Sequence, residues 1–230
     1  MAKFEHSLSG RILFAPDGQS VFALEHLAFA QPNKPTEFAI YRFDLKAKKK
    51  EKLDLPADHQ LADITPDGKA LLTTVFTRPD GKLHATPHRV PLDTLKPEPL
   101  TKQSLRAIQF SPDGKRFVAI KYLDPNDGWK QGLTIVDMKD GKESPVRLED
   151  DTFTIWHAAW APDGKKLVVH RIVKLGEEKA DNLPPPVGGK APNAVIVQWP
   201  EVTVRNLDGS EPKRLLETKQ ETHIFGVDWR

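Results

Sequence analysis

Pro-Asp-Gly recurs four times along this chain, each time directly after a short apolar stretch: Phe14-Ala-Pro-Asp17-Gly18, Ile64-Thr-Pro-Asp67-Gly68, Phe110-Ser-Pro-Asp113-Gly114 and Trp160-Ala-Pro-Asp163-Gly164. Asp17, Asp67, Asp113 and Asp163 stand 50, 46 and 50 residues apart. A fixed period of that length means one supersecondary unit used repeatedly, stacked so that neighbours bury faces that no single unit can bury alone.

The unit reads cleanly between residues 105 and 148. Leu105 to Phe110 is a short apolar strand, and Ser111-Pro-Asp-Gly114 is a turn in which Pro fixes φ, Asp suits the second corner and Gly accepts positive φ. Arg116 to Lys121 is a second strand, Asp124 to Lys130 a loop, Leu133 to Met138 a third strand and Pro145 to Leu148 a fourth. The third strands of the other copies fall at Ile40–Leu45, His88–Leu92 and Val202–Leu207, and the fourth strands align on Leu53, Leu100 and Leu215. Twenty prolines and fourteen glycines punctuate the chain at strand-like intervals, and no amphipathic helix is apparent. Four antiparallel strands in roughly 45 residues make a propeller blade.

These residues resemble the WD-repeat-like propeller repeats of TolB-type proteins. The resemblance rests on the apolar-x-aromatic-(Ser/Ala/Thr)-Pro-Asp-Gly core and on the Asp-Gly segment near each blade end, and it covers nearly the whole chain. It departs from true WD repeats at the Trp-Asp dipeptide, where Phe43-Asp44, Val90-Pro91, Val136-Asp137 and Arg205-Asn206 stand instead. It implies an all-β propeller of four-stranded antiparallel blades, and an exported, periplasmic setting; the opening residues Met1 to Ser7 carry no signal-peptide pattern.

The expected organisation is a single domain over residues 1–230, with blades near 9–55, 60–101, 105–149 and 155–217 and a terminal strand at 223–229. Ile224-Phe-Gly-Val-Asp-Trp229 matches the inner-strand pattern of Ile155 to Trp160, and Lys3 to Leu8 supplies an outer strand, so the two chain ends make a partial fifth blade. TolB-type rings generally have six blades. Three arrangements therefore stand: a small closed ring, a homodimer completing a larger ring, or a piece of a longer propeller.

Several function classes are excluded by composition. With 34 basic and 32 acidic residues the net charge is +2, which provides no field for nucleic acid. No apolar stretch approaches the roughly 18 residues of a membrane-spanning helix, so membrane insertion is not expected. The absence of cysteine removes disulfides, thiolate metal sites and cysteine nucleophiles. There is no Gly-x-Ser-x-Gly elbow, His-Glu-x-x-His, P-loop or Gly-x-Gly-x-x-Gly.

Function then falls to loops on a rigid scaffold. The turn face is short and regular, whereas the opposite face carries His26–Pro35, Leu123–Gly132 with Trp129, and the long Lys174–Trp199 insertion with its Pro184-Pro-Pro186 run. The leading expectation is a non-catalytic scaffold that binds a protein or peptide through that irregular face, using Trp129, Trp199, His157 at the channel mouth and His223 at the start of the terminal strand. Trp156, Trp160 and Trp229 read as core.

One alternative is a lactonase-like hydrolase with a metal on the axis. Asp63, Gln109 and Asp228 occupy equivalent places one residue before the end of an inner strand, where oxygen ligands around an axis suit Ca²⁺; the competing reading is that they are strand-end polar groups satisfied by backbone or water. No other cofactor is expected. Asp124 to Gly128 reads as a turn rather than a calcium loop, and His84 and His88, with Pro87 between them, do not share a helical face for zinc. The lysine-rich run Lys46–Lys52 reads as a solvated edge. The last alternative is structural: one half of a self-assembling ring.

Overall fold

The computed structural model describes residues 8–28, 36–124, 127–149, 152–179 and 194–217. Among them every regular element except one 3₁₀ turn, Pro79–Gly81, is a β-strand. The first sheet holds β1 (Leu8–Phe14), β2 (Ser20–Ala28), β3 (Glu37–Asp44) and β4 (Lys49–Lys52). The second holds β5 (His59–Ile64), β6 (Ala70–Thr77), β7 (His84–Pro91) and β8 (Glu98–Pro99). The third holds β9 (Leu105–Phe110), β10 (Arg116–Asp124), β11 (Asp127–Asp137) and β12 (Glu143–Val146), and the fourth β13 (Thr152–Trp160), β14 (Lys166–Lys179), β15 (Ala194–Asn206) and β16 (Lys213–Glu217). Within each sheet, strand order follows chain order and all pairing is antiparallel. The chain is thus an all-β propeller built from four-stranded antiparallel blades.

The Pro-Asp-Gly turns set each hairpin. The N–H groups of Gly18, Gly68, Gly114 and Gly164 close the turns onto Ala15, Thr65, Ser111 and Ala161, with glycine φ between +66° and +70°. In each turn the aspartate accepts the N–H two residues on, as Asp163 Oδ1 does from Lys165 at 2.9 Å. The turns also stack from blade to blade: a Cβ on Gly68 would touch Pro16, one on Gly114 would touch Pro66, and one on Gly164 would touch Pro112. Gly18, in the first blade, has nothing within 4 Å.

Strand alternation sends one set of side chains to the preceding blade and the other to the next. Leu13, Phe22, Leu24 and Ile40 of the first sheet bury against Leu61, Ile64, Leu71 and Val90 of the second. Leu72 of the second sheet meets Phe110, Phe117 and Val136 of the third, and Val118, Ile120 and Ile135 of the third meet Ile155, Trp160 and Leu167 of the fourth. Each such buried side chain contributes about 1.5–3 kcal/mol. The first strands β1, β5, β9 and β13 touch in succession and line the axis. The outer edges are polar or short: β4 is Lys-Lys-Glu-Lys, and β8 is Glu98-Pro99.

Two expected loops are strands instead. Pairing of β10 with β11 continues through Tyr122↔Gln131 to Asp124↔Asp127, leaving only 125–126 for the connection. In the 174–199 insertion, pairs run from Lys174↔Gln198 out to Lys179↔Ala194, so both arms of this segment extend the hairpin. The continuous β-branched run Val195-Ile-Val197 pairs readily as a strand, and a bulge at Lys174/Gly176 absorbs the register change. The polyproline run and the expected fifth-blade strands, 3–7 and 223–229, lie outside the described residues.

Candidate functional site

On the turn face, the four inner strands end around a concavity of about 450 Å³. Its wall is made by Phe14, Ile64, Phe110 and Trp160, the last residues of β1, β5, β9 and β13. Its rim is made by Pro16, Pro66, Pro112 and Pro162, one from each turn. The repeat therefore delivers four bulky apolar groups and four prolines to one place, because equivalent positions in a propeller converge on the axis.

The polar groups in this bowl hold the blades together. Asp63 Oδ2 accepts the N–H of Phe110 at 2.9 Å, and Gln109 Oε1 accepts the N–H of Trp160 at 2.9 Å. Each acceptor stands one residue before the end of its inner strand and reaches the last residue of the next blade's inner strand. The geometry follows from the ladder: Ala15, Thr65, Ser111 and Ala161 donate their N–H to the second strands, so the preceding N–H points the other way, toward the previous blade. Trp160 adds an indole N–H to Gln109 O at 3.4 Å, and Arg116 lies 5.0 Å over the Trp160 ring. The axis positions expected as metal ligands are thus brought together as inter-blade clasps. Among the described residues no three carboxylates or imidazoles converge on a common point; Asp228 lies outside them.

Hydroxyls at the bowl are equally committed. Ser111 Oγ donates to Asp113 Oδ1 at 2.5 Å and Thr65 Oγ1 to Asp67 Oδ1 at 2.7 Å, bracing their turns. Those hydroxyl bonds, with the backbone N–H groups of Lys69 and Lys115, hold the Asp67 and Asp113 carboxyls below the usual carboxylate range.

The first blade breaks the pattern. Phe14 is 55% exposed, whereas Ile64, Phe110 and Trp160 at the same position are 6%, 4% and 2% exposed. Ile12 is exposed as well. Both side chains face the side from which a preceding blade would approach.

Of the other expected site residues, His157 is half-buried on β13, its Nδ1 accepting the N–H of Ala158 at 2.8 Å. Trp129 and Trp199 fall on β11 and β15, but their side chains lie outside the described set, as does His223 entirely. Trp160 is core. Trp156 is not: it is 53% exposed, because a bulge between Ile155 and His157 takes it out of the buried alternation and places its ring 5.8 Å from that of His170. His84 and His88 both lie on β7; His88 stacks edge-on against His59 at 5.0 Å rather than pairing with His84. The lysine run forms the turn into β4, with Lys50 over the Tyr41 ring at 4.1 Å.

Sequence reasoning missed a buried ion network between the third and fourth blades. Arg171 Nη2 donates to Glu201 at 2.7 Å, Arg214 Nε to Glu201 at 2.8 Å, and Arg205 to Glu149 at 3.1 Å and to the Arg147 carbonyl at 3.1 Å. The signal was present in β15, where Arg205 takes the place that Phe43, Val90 and Val136 fill in the other blades. A histidine pair was missed too. His59 Nδ1 lies 2.8 Å from Thr73 Oγ1, and burial holds both His59 and His88 below the ordinary imidazole value.

No protein-family model matches this chain, and no curated protein matches it in sequence. Solved structures do match its fold. It resembles a putative TolB from Agrobacterium tumefaciens with a TM-score of 0.62 at 16% identity, over 91% of this chain and 65% of that one. It resembles TolB from Acinetobacter baumannii with a TM-score of 0.53 at 16% identity, over 94% and 55%. The propeller domain of the Trilobed protease from Pyrococcus furiosus, described as having an open velcro topology, matches with a TM-score of 0.53 at 17% identity, over 94% and 58%. The chain therefore spans less than two thirds of the length of each of these structures. The likeness shows the fold, and it extends to TolB structures, a protease propeller domain and a peptidase alike.

Proposed function

We propose that this chain is a non-catalytic propeller scaffold that binds a protein or peptide. The observation that supports this reading is the bowl on the turn face. It is walled by Phe14, Ile64, Phe110 and Trp160, and its described polar groups are occupied in holding neighbouring blades rather than poised to attack or transfer a proton. A concavity that presents exposed Phe14 and four exposed prolines beside Asp63, Gln109 and Ser111 suits a side chain of a protein loop or peptide. The envelope setting implied by the TolB resemblance is part of the same reading.

The test is peptide-display selection on the whole chain, followed by affinity measurements on two variants. Phe14→Ser alters the bowl at an exposed side chain, and Leu123→Ser alters an exposed side chain near the far end of β10. Selected peptides that lose at least about tenfold in affinity for the first variant and not for the second support the bowl. The reverse result restores the irregular face as the binding surface.

The exposed first blade favours a second, structural reading in which a copy of the chain covers Phe14 and Ile12 to extend the ring. A dimer in light scattering that Phe14→Ser dissociates supports it; a monomer at all concentrations removes it.

A further inference from the structure

The junctions between the four described blades are not built alike. Asp63 clasps the second blade to the third, and Gln109 clasps the third to the fourth. Leu13 holds the same place in the first blade and offers no acceptor. Six residues after its turn glycine, Thr74 of the second blade accepts the N–H of Ala107 of the third at 3.1 Å, whereas Leu24 fills that place in the first. The first blade therefore rests on the second mainly through apolar contact, with Leu13, Phe22 and Leu24 in one cluster with Leu61 and Leu71. The N–H of Phe38 on the Ala57 carbonyl, at 2.6 Å, joins it to the connection before β5.

Two imidazoles are set into that junction. His59, two residues before Leu61, and His88, two before Val90, share the face that packs on the first blade, because alternate residues of a strand point the same way. His59 is 4% exposed, and its Nδ1 lies 2.8 Å from Thr73 Oγ1. His88 is half-buried, and its Nδ1 donates to the Thr86 carbonyl at 3.0 Å. The two rings stand edge-on with centroids 5.0 Å apart. The titratable groups around them are Asp58 from the connection before β5, His84 on the same face of β7, and His26 of β2, whose ring lies 4.8 Å from that of Phe38.

Burial is the main force holding both rings neutral. His88 adds to it at His59, whereas Asp58 favours the proton on both rings and the Thr86 carbonyl favours it on His88. Two protons taken up here would place like charges 5.0 Å apart against an apolar face, where water screens them least. Separation of the two faces relieves that cost, and this junction lacks the side-chain clasps that hold the others. We propose that the first blade is an acid-released element: protonation of the His59–His88 pair parts it from the second blade while the second, third and fourth blades stay clasped. Release uncovers Leu61, Leu71 and Val90.

The test is residue-resolved amide exchange on the full chain at about pH 7.5 and about pH 5, corrected for the intrinsic rate at each pH. Leu45 and Met138 are matched reporters of the first and third blades, their N–H groups donating to Gln19 O at 2.9 Å and to Lys115 O at 2.8 Å. On acidification, protection at Leu45, and at Leu53 on Ile40 O, is expected to fall at least about tenfold more than at Met138. His59→Gln combined with His88→Gln keeps hydrogen-bonding side chains but takes up no proton, and it is expected to abolish the difference. His84→Gln, at an exposed ring, is expected to preserve it. Each comparison is made within one variant, so a lower overall stability does not disturb it; should the double variant not fold, His88→Gln alone is expected to shrink the difference. Equal losses at Leu45 and Met138 overturn the proposal, because they report unfolding of the whole chain. So does protection at Leu45 that is indifferent to pH, or a difference that the glutamine variants leave intact.

Discussion

Asp63 distinguishes an inter-blade clasp from a metal ligand. Its carboxylate accepts the buried N–H of Phe110 in the next blade at 2.9 Å. A hydrogen bond to a charged group is worth about 1.5–3 kcal/mol net, and Asp63→Leu also leaves that N–H without an acceptor. For a chain of this size each kcal/mol moves Tm by about 2–4 °C, so the variant is expected to melt about 3–12 °C lower. Asp63→Asn keeps a carbonyl acceptor in place and forfeits only the charge, about 1 kcal/mol or a few degrees. The assay is thermal unfolding of wild type and both variants, with and without added Ca²⁺. If the clasp governs, leucine is markedly worse than asparagine and Ca²⁺ shifts none of them. Equal losses for both variants, together with a Ca²⁺-dependent rise in the wild type alone, would refute the reasoning and restore the axial metal.

Three further outcomes follow from the same geometry. Because His59, His88 and His170 are held below 6.5 mainly by burial, the unfolded chain binds more protons, so stability is full above that pH and falls beneath it; urea midpoints from about pH 7.5 to about pH 5 check this. Glu201→Ala leaves the buried Arg171 guanidinium with Glu149, at 3.2 Å, as its remaining carboxylate and is expected to cost about 1.5–3 kcal/mol, measured by denaturant unfolding, whereas replacing Arg171 and Glu201 together by apolar residues is milder. Gly209→Ala drives a Cβ into the Arg147 backbone at φ +87° and is expected to destabilise by well over the about 1–2 kcal/mol of Gly18→Ala, whose position is equally left-handed but open.

How much of this was legible from sequence depends on whether a residue's role is repeated. The turns were legible because Pro, Asp and Gly each answer a local backbone demand at Gly18, Gly68, Gly114 and Gly164. The special places of Asp63 and Gln109 were legible too, since the repeat puts them in register; their partner was not, because a backbone N–H carries no signature in sequence. Trp156 went astray through a bulge, which shifts alternation by one residue without changing composition. The arms of the 174–199 insertion were read as loop because glycine and proline near its middle masked strand pairing at both ends. The Arg171–Glu201–Arg205 network belongs to one blade alone, so repetition offered no help in finding it.

The central claim is a series of blades clasped one to the next, with the first blade's inner edge uncovered. One position, repeated four times, tests it most directly: amide exchange at Phe14, Ile64, Phe110 and Trp160 in the intact chain. The account predicts slow exchange at Phe110 and Trp160, whose N–H groups donate to the Asp63 and Gln109 side chains respectively, and fast exchange at Phe14, whose side chain is left in water. Exchange at Phe14 as slow as at Phe110 would contradict it, by showing that a further blade closes on that edge.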